Sequence, residues 1–239
     1  MLFATAGMHG ATVVPDSTVL AVRLDAALSS RRTKPGQVIT ARIMQDVPLA
    51  GDAKIPAGTK LAGQVTAVKP ATGGEGGSIS FRFDTLQLPH ENVRLVVHLR
   101  AIASTMEVRH ARLPVNSGPT GAESSWTTVQ IGGDVVYRGG GSVRSRSGVV
   151  GKPVENGVLG RLDSNPDRGC RGDGTGERAQ ALWLFSSDAC GTYDLRNVTV
   201  VRADADAAST KTGEITLRSS KGDVNVRSGA GLLLREDAP

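Results

Sequence analysis

Aromatic residues and histidines are scarce in this chain. Only eight of its 239 residues are Phe, Trp or Tyr, and four are His. Proteins that bind single-stranded nucleic acids or sugars commonly stack their ligands against aromatic rings. The scarcity of rings therefore argues against both classes. The histidines, at positions 9, 90, 98 and 110, also lack the fixed spacing that is typical of a metal site.

The sequence also lacks the local patterns of common catalytic and membrane-spanning proteins. It contains no nucleophile elbow, P-loop, dinucleotide fingerprint, HExxH or kinase signature. No run of about 18 apolar residues could span a bilayer. We therefore expect a non-enzymatic protein without a cofactor and without a transmembrane segment. A hydrolase assembled from dispersed residues such as His98, Asp84 and Glu107 stays open as an alternative.

Positive charge is in slight excess and is spread along the chain. Lys and Arg total 28 against 23 Asp and Glu, for a net charge of +5. A nucleic-acid-binding protein usually concentrates its cations on one stripe, so the sequence gives no strong nucleic-acid signal. The one local run is RGGGSVRSR, in which Arg138, Arg144 and Arg146 form either a solvated loop or an anion-binding site.

Two cysteines, Cys170 and Cys190, enclose a polar, glycine-rich stretch and an apolar run. No CxxC spacing accompanies them, and the second half of the chain contains no histidine. A disulfide therefore suits the pattern better than a metal site or a catalytic thiol, and it would stabilise the fold by roughly 3 kcal/mol. Because disulfides persist in oxidising compartments, the pair predicts an extracytoplasmic protein, periplasmic or secreted.

The first residues do not themselves indicate export. MLFATAGMHGATVV has no basic segment and no apolar stretch long enough for a signal peptide. For an extracytoplasmic protein, we therefore expect that a leader peptide is missing from this sequence.

Many of the 30 glycines and 11 prolines lie between segments in which apolar and polar residues alternate. Ile79, Phe81 and Phe83 alternate with polar residues, for example, which is typical of a half-buried strand. The motifs KPGQ, IPAG and GGEGG suit turns between such strands. With no long helical segment between them, the strands predict a small antiparallel barrel or sandwich over residues 17–103.

The rest of the chain predicts a tail, a linker and a second unit. Residues 1–16 form the N-terminal tail, and residues 104–125 form a short helix and a polar linker. Residues 126–236 form a second β-rich unit, with a buried strand at 181–187 and a terminal hairpin pair at 214–234. The predicted fold class is mainly β, with at most one or two short helices.

The second unit contains two short segments of similar sequence. GDVVYRGG at 133–140 and GDVNVRSG at 222–229 share the pattern GDVxxRxG. Two copies are too few for a repeat architecture, so we interpret them as two hairpins with similar turn chemistry.

Asp163, Asn165 and Asp167 give the DxNxD opening of a calcium-binding loop. The pattern fails afterwards, because Arg168 replaces the glycine at position six and Gly174 replaces the acid at position twelve. An ordinary turn is the main interpretation, and a calcium site of another kind is the alternative.

One order of motifs covers residues 19–89. A strand that leads to Leu and Ser is followed by a Pro-Gly turn, an IPAG turn and a strand ending in Leu and Pro. The carriers of this order are Leu24, Leu28, Ser29, Pro35, Gly36, Val47, Ile55, Pro56, Gly58, Leu61, Gly63, Phe83, Leu86 and Pro89. The segment resembles the first half of the C-terminal β-barrel domain of conjugal-transfer and type IV secretion bridging proteins, which form the outer-membrane core complex. The resemblance implies a related barrel module in an extracytoplasmic protein, with matched residues that are turns and core.

We therefore predict a non-enzymatic structural or assembly protein of a bacterial cell envelope or secreted structure. It is expected to associate with itself or with envelope partners through strand edges and surfaces. The alternative is a soluble binding module that takes an anionic ligand through the Arg138, Arg144 and Arg146 loop.

Overall fold

The computed structural model describes residues 13–115, 122–171, 178–201 and 213–237. The predicted tail at 1–16 and linker at 104–125 therefore lie partly outside the described residues. The described chain is mainly β with one short α-helix, as the sequence predicts. Among its helices, none combines the length and the apolar character that a membrane span requires.

Nine strands precede the helix. They are β1 (Val19–Leu24), β2 (Leu28–Ser29), β3 (Val38–Ile43), β4 (Val47–Pro48), β5 (Lys54–Ile55), β6 (Lys60–Lys69), β7 (Ser78–Gln87), β8 (Asn92–Arg94) and β9 (Val97–Ala103). The predicted alternation is confirmed on β7, where Ile79, Phe81 and Phe83 are buried and the residues between them are half-buried.

The helix α1 (Thr105–His110) lies where the sequence predicts one. Ser104 caps it, because its hydroxyl accepts a hydrogen bond from the Glu107 N–H at 3.1 Å. A 3₁₀ turn at Glu123–Trp126 then leads into the remaining strands. These are β10 (Thr127–Val129), β11 (Val135–Tyr137), β12 (Ser142–Ser145), β13 (Gly148–Val154), β14 (Gly157–Gly160), β15 (Gln180–Ala181), β16 (Gly191–Tyr193), β17 (Val198–Val201), β18 (Ile215–Ser219), β19 (Asn225–Val226) and β20 (Gly231–Glu236).

The large sheet is a nearly closed barrel. Its strand order is β16-β9-β20-β1-β3-β6-β7-β18-β17, with β8 added beside β7. All pairs are antiparallel except β16 with β9. At the seam between the two end strands, the Thr192 hydroxyl donates to the Val198 carbonyl at 3.0 Å. Most of the sheet's apolar side chains pack inside the barrel.

The predicted division at residue 126 does not follow the sheets. Strands β16, β17, β18 and β20 come from the predicted second unit, yet they complete the barrel. The predicted terminal hairpin is also wrong, since β18 pairs with β7 and β17, whereas β20 pairs with β1 and β9. The sequence of β20, GLLLRE, is almost continuously buried, which suits a central strand and not an outer hairpin.

A second sheet of six strands, β10 to β15, packs on the outside of the barrel. On β1, Leu20 and Val22 point into the barrel, whereas Val19 and Ala21 contribute to the core shared with the second sheet. That shared core also contains Trp183 and Phe185. Strands β1, β9 and β20 are therefore buried on both faces.

The predicted strand at 181–187 is wrong beyond Ala181, although the segment is buried. Residues 183–184 and 187–188 form turns, Phe185 makes an isolated parallel bridge with Ile131, and Trp183 has a φ of 51°. Buried glutamine side chains replace the missing strand neighbours. Gln45 Oε1 accepts from the Trp183 N–H at 2.7 Å, and Gln130 Nε2 donates to the Phe185 carbonyl at 2.7 Å. Side-chain amides thus satisfy backbone groups that a strand would pair.

Candidate functional site

Cys170 and Cys190 form the predicted disulfide, with their Cα atoms 6.0 Å apart. A fully buried arginine, Arg100, supports the enclosed loop from β9. Its Nε donates to the Ala189 carbonyl at 2.8 Å, and its guanidinium also binds the Asp163 carbonyl. The bridge and Arg100 together fix both ends of this loop against the barrel.

Two of the three side chains proposed for calcium bond to other groups of the protein. Asp163 pairs with Arg161 at 3.0 Å. Asn165 accepts from the Arg168 N–H at 3.3 Å and donates to the Asp188 carbonyl at 2.9 Å. Asp167 lies exposed in the 3₁₀ turn Pro166–Arg168. Within the ranges that the structure describes, no group of three or more His, Cys, Asp or Glu could hold a metal ion.

The residues proposed for a dispersed catalytic site lie on three different elements. His98 on β9 places its Nδ1 2.9 Å from Asp237 Oδ2, whereas Asp84 on β7 pairs with Arg82 at 3.3 Å. Glu107 belongs to α1. No hydrogen bond or ion pair joins any two of these three described side chains.

The three arginines of the RGGGSVRSR run lie along one hairpin and not within one turn. Arg138 follows β11, Arg144 lies on β12, and Arg146 lies in the turn between β12 and β13. All three are exposed. Arg138 and Arg146 flank opposite ends of β12, a strand of four residues, which spans about 13 Å at the usual rise per residue.

These arginines border the solvent-facing side of β10 to β13, which we call the outer face. Strand register aligns Val129, Val135, Arg144 and Val149 in one row across four strands. Directly opposed residues in antiparallel strands share a face. Val129 and Val149 are 42% and 58% exposed. The outer face therefore presents apolar side chains to solvent.

An exposed tryptophan, Trp126, lies immediately before β10, at the edge of the second sheet. Trp126 is 57% exposed and packs on Gly139, where an added Cβ would lie 2.5 Å from a ring carbon. The Arg138 N–H donates to the Trp126 carbonyl at 3.0 Å, which fixes the tryptophan beside the hairpin turn. Tyr137, half-buried, lies on the outer face two residues from Val135. Phe81, Phe83, Trp183 and Phe185, by contrast, are core residues.

The outer face carries charge of one sign. Residues 126–154 include four exposed cations, which are Arg138, Arg144, Arg146 and Lys152. The one acid in that range, Asp134, is buried and accepts hydrogen bonds from the Ser187 N–H and hydroxyl at 2.8 Å each. Burial raises the pKa of Asp134, which these two bonds partly oppose. No exposed carboxylate therefore lies in this range.

The sequence points to the arginines of this site but not to its apolar residues. Val129 and Val149 fall on short strands whose alternation gives no sign of which face is covered. Only the register between the strands aligns them with each other and with Arg144. Trp126 follows the polar linker, which conceals its place at the sheet edge.

Comparison of the chain with protein-family models, with curated proteins and with solved structures finds no match.

Proposed function

We propose that this protein is a non-enzymatic, extracytoplasmic assembly protein of a bacterial envelope or secreted structure, and that its outer face binds an acidic surface of a partner protein. The observation that carries the proposal is the outer face itself, an exposed tryptophan and valine row bordered by unopposed cations. Trp, Tyr and Arg are the residues most enriched among the side chains that dominate protein interfaces.

The positive charge around the outer face indicates which kind of partner it would bind. An apolar surface ringed only by cations is complementary to an apolar patch with acidic neighbours, and the charges would steer the encounter. Two copies of the outer face would oppose arginine to arginine, which disfavours symmetric self-association through it.

Surface contact is favoured over pairing through strand edges. The two end strands of the barrel, β16 and β17, meet at the seam through Thr192 and Val198, so they offer little free edge. At β10, the edge of the second sheet, the Val115 N–H donates to the Thr127 carbonyl at 2.9 Å and Pro114 bridges Thr128. Covered edges resist the addition of a further strand. The export part of the proposal is supported by the disulfide.

Photo-crosslinking tests this function. A crosslinker at position 149 or 126, in the full chain in its native cells, should capture one acidic protein, whereas a crosslinker at position 38 should not. Val38 is a matched control because it is an exposed valine, at 69%, on barrel strand β3. The captured protein is then purified and its affinity is measured with V149D and V38D.

We expect V149D to weaken binding by about tenfold or more, since it places a carboxylate against an acidic partner, and V38D to leave it unchanged. Equal labelling from all three positions, or an adduct containing two copies of this chain, would contradict the acidic-partner proposal.

A second candidate is binding of an anionic ligand through Arg138, Arg144 and Arg146. Their distribution along the β12 hairpin favours an extended polyanion over a small anion. Heparin affinity that falls steeply with salt in the wild type, and that is lost when the three arginines are changed to glutamine, would support this candidate.

A further inference from the structure

A polar groove of about 460 Å³ lies on the barrel, away from the outer face and sharing no residue with it. Three segments build it: the connection from β16 to β17, the stretch 221–227 that includes β19, and the start of α1. Each of the first two brings cations to the groove. Arg196 comes from the β16–β17 connection, whereas Lys221 and Arg227 come from either side of β19.

The groove's cations are unpaired, whereas its carboxylates are engaged. Arg196, Lys221 and Arg227 are exposed and form no ion pair or side-chain hydrogen bond with any described residue. Asp194 accepts from the Ser104 hydroxyl at 2.5 Å. Asp223 accepts from the Ser30 hydroxyl at 2.8 Å and from the Ala71 N–H at 3.0 Å. Each acid is held against a wall through one of its oxygens, and the three cations outnumber the two acids, so the groove carries a net positive charge.

The walls that carry these cations are fixed by backbone contacts. The Ser220 N–H donates to the Asn197 carbonyl at 2.8 Å, which ties the β16–β17 connection to the β18–β19 loop. The Gly77 N–H donates to the Gly222 carbonyl at 2.9 Å on the far side of that loop. Asp194 and Asn197 hold positive φ values of 50° and 61°, a backbone form that these two residue types tolerate. A site held in this way loses little conformational entropy when a ligand binds.

We propose that the polar groove binds a small polar molecule through a phosphate or sulfate group. One cation comes from the β16–β17 connection and two come from either side of β19, so they can contact different oxygens of a tetrahedral anion, whereas a carboxylate offers only two oxygens. The rest of the lining includes the polar side chains of Thr105, Asn197 and Asn225, which suit hydroxyl groups, together with Met106, Leu195 and Val198. The volume exceeds that of a single ion and lies within the usual range of small-molecule sites.

Titration of the ¹⁵N-labelled full chain with glucose 6-phosphate, inorganic phosphate and glucose tests this site. Glucose 6-phosphate should bind most tightly and should shift the amide signals of Asn197 and Lys221, inorganic phosphate should bind more weakly at the same amides, and glucose alone should not bind. Glucose 6-sulfate, as a further ligand, distinguishes a phosphate from a sulfate site. Ionic strength is matched with sodium chloride, because surface charges respond to salt alone.

The variants R196Q, K221Q and R227Q should each weaken glucose 6-phosphate binding by about tenfold, the usual effect of losing one charge-assisted contact. R23Q is the matched control, since Arg23 is an exposed cation on β1 outside the groove. Unfolding midpoints confirm that the variants remain folded. Absence of binding, shifts that sodium chloride reproduces, or an equal loss in R23Q would overturn the proposal. None of these outcomes depends on the outer face, so the two proposals fail separately.

Discussion

Glu236 is a buried acid near the end of the chain, with only 4% of its surface exposed. One carboxylate oxygen accepts from the Val96 N–H at 3.2 Å, and the other has no hydrogen-bond partner among the described residues. Burial raises the pKa of Glu236 to about 8, the hydrogen bond from Val96 opposes the rise, and the neighbouring charges of Asp237 and Asp16 add to it. Glu236 is therefore protonated at neutral pH in the folded protein.

This acid should make the protein less stable as the pH rises. The unfolded chain releases the proton near the ordinary value of 4.5 and the folded chain near 8, so the stabilisation is complete below 4.5 and is lost as the pH rises through 8. One such group changes the free energy of unfolding by at most about 1.4 kcal/mol per pH unit. Urea unfolding of E236Q across this window should show a flatter pH dependence than the wild type.

E75Q provides the control for that measurement. Glu75 is exposed, and its hydrogen bond with Lys69 lowers its pKa, so its contribution is already complete above the ordinary value of 4.5. E75Q should keep the wild-type slope. The expectation for Glu236 fails if E236Q and the wild type lose stability in parallel as the pH rises.

The aspartates of the two GDVxxRxG segments have a similar role in the structure. Asp134 holds the segment around Ser187, and Asp223 holds Ser30 and Ala71, so each aspartate fixes a loop distant in sequence. The expected hairpin is found only for the first segment, since β19 of the second segment pairs with the distant strand β2. The long-range partners of the two aspartates could not be predicted, because they depend on where the barrel brings other loops.

The disulfide loop, residues 170–190, is held by a covalent bond and by hydrogen bonds to several side chains. Among its described residues, regular structure is limited to the two-residue strand β15. The Ala189 carbonyl accepts from the Arg100 guanidinium, and the side chains of Gln45 and Gln130 bond to the backbone of the loop. The bridge should therefore stabilise the protein mainly by restricting the unfolded chain.

The double variant C170S/C190S should lower the free energy of unfolding by about 3 kcal/mol, the value for closing a loop of this length. Urea unfolding of the oxidised protein, the reduced protein and the variant measures the effect. Reduced wild type is the matched control and should behave like the variant. Equal stability of the oxidised and reduced proteins would contradict a stabilising bridge.

Strand elements could be predicted where one face is covered and the other is open. Strands β6 and β7 alternate for this reason, and their turns carry the proline and glycine that the sequence displays. The prediction of a strand over 182–187 was wrong, because burial on all sides gives the same apolar pattern to a strand and to a series of turns. In the folded protein, the side chains of Gln45 and Gln130 bond to the backbone of this segment, in place of a neighbouring strand.

The candidate site could be predicted only in part for a similar reason. The arginine run is visible as a local cluster of charge. The valine row is a property of register across four strands, and the polar groove joins residues that are more than 100 positions apart, such as Thr105 and Arg227. Neither arrangement leaves a local pattern in the chain.

The barrel brings together the first and last described strands of the chain. Strand β20 lies between β1 and β9, and the Ser17 N–H donates to the Glu236 carbonyl at 3.0 Å. Strand β18 likewise pairs with β7. The second sheet is thus an insertion between barrel strands, and neither predicted unit contains a complete barrel.

A fragment spanning residues 13–115 should therefore not fold by itself. It lacks β16, β18 and β20, which leaves β9 without a hydrogen-bonded partner, removes one partner each from β1 and β7, and exposes apolar side chains of the core. Circular dichroism and amide dispersion in NMR spectra measure its folding. Mixing it with the fragment 122–237 should restore a dispersed spectrum, which is the positive control. Cooperative unfolding of the isolated first fragment would contradict this expectation.

The central position of β20 also determines when the protein can fold. During synthesis, β1 and β9 leave the ribosome long before the strand that pairs with both of them. Contacts that join the first and last strands close slowly, because the whole intervening chain must be ordered around them. The nascent chain therefore stays without a closed barrel until β20 has left the ribosome, and its apolar strands must be shielded from aggregation until then.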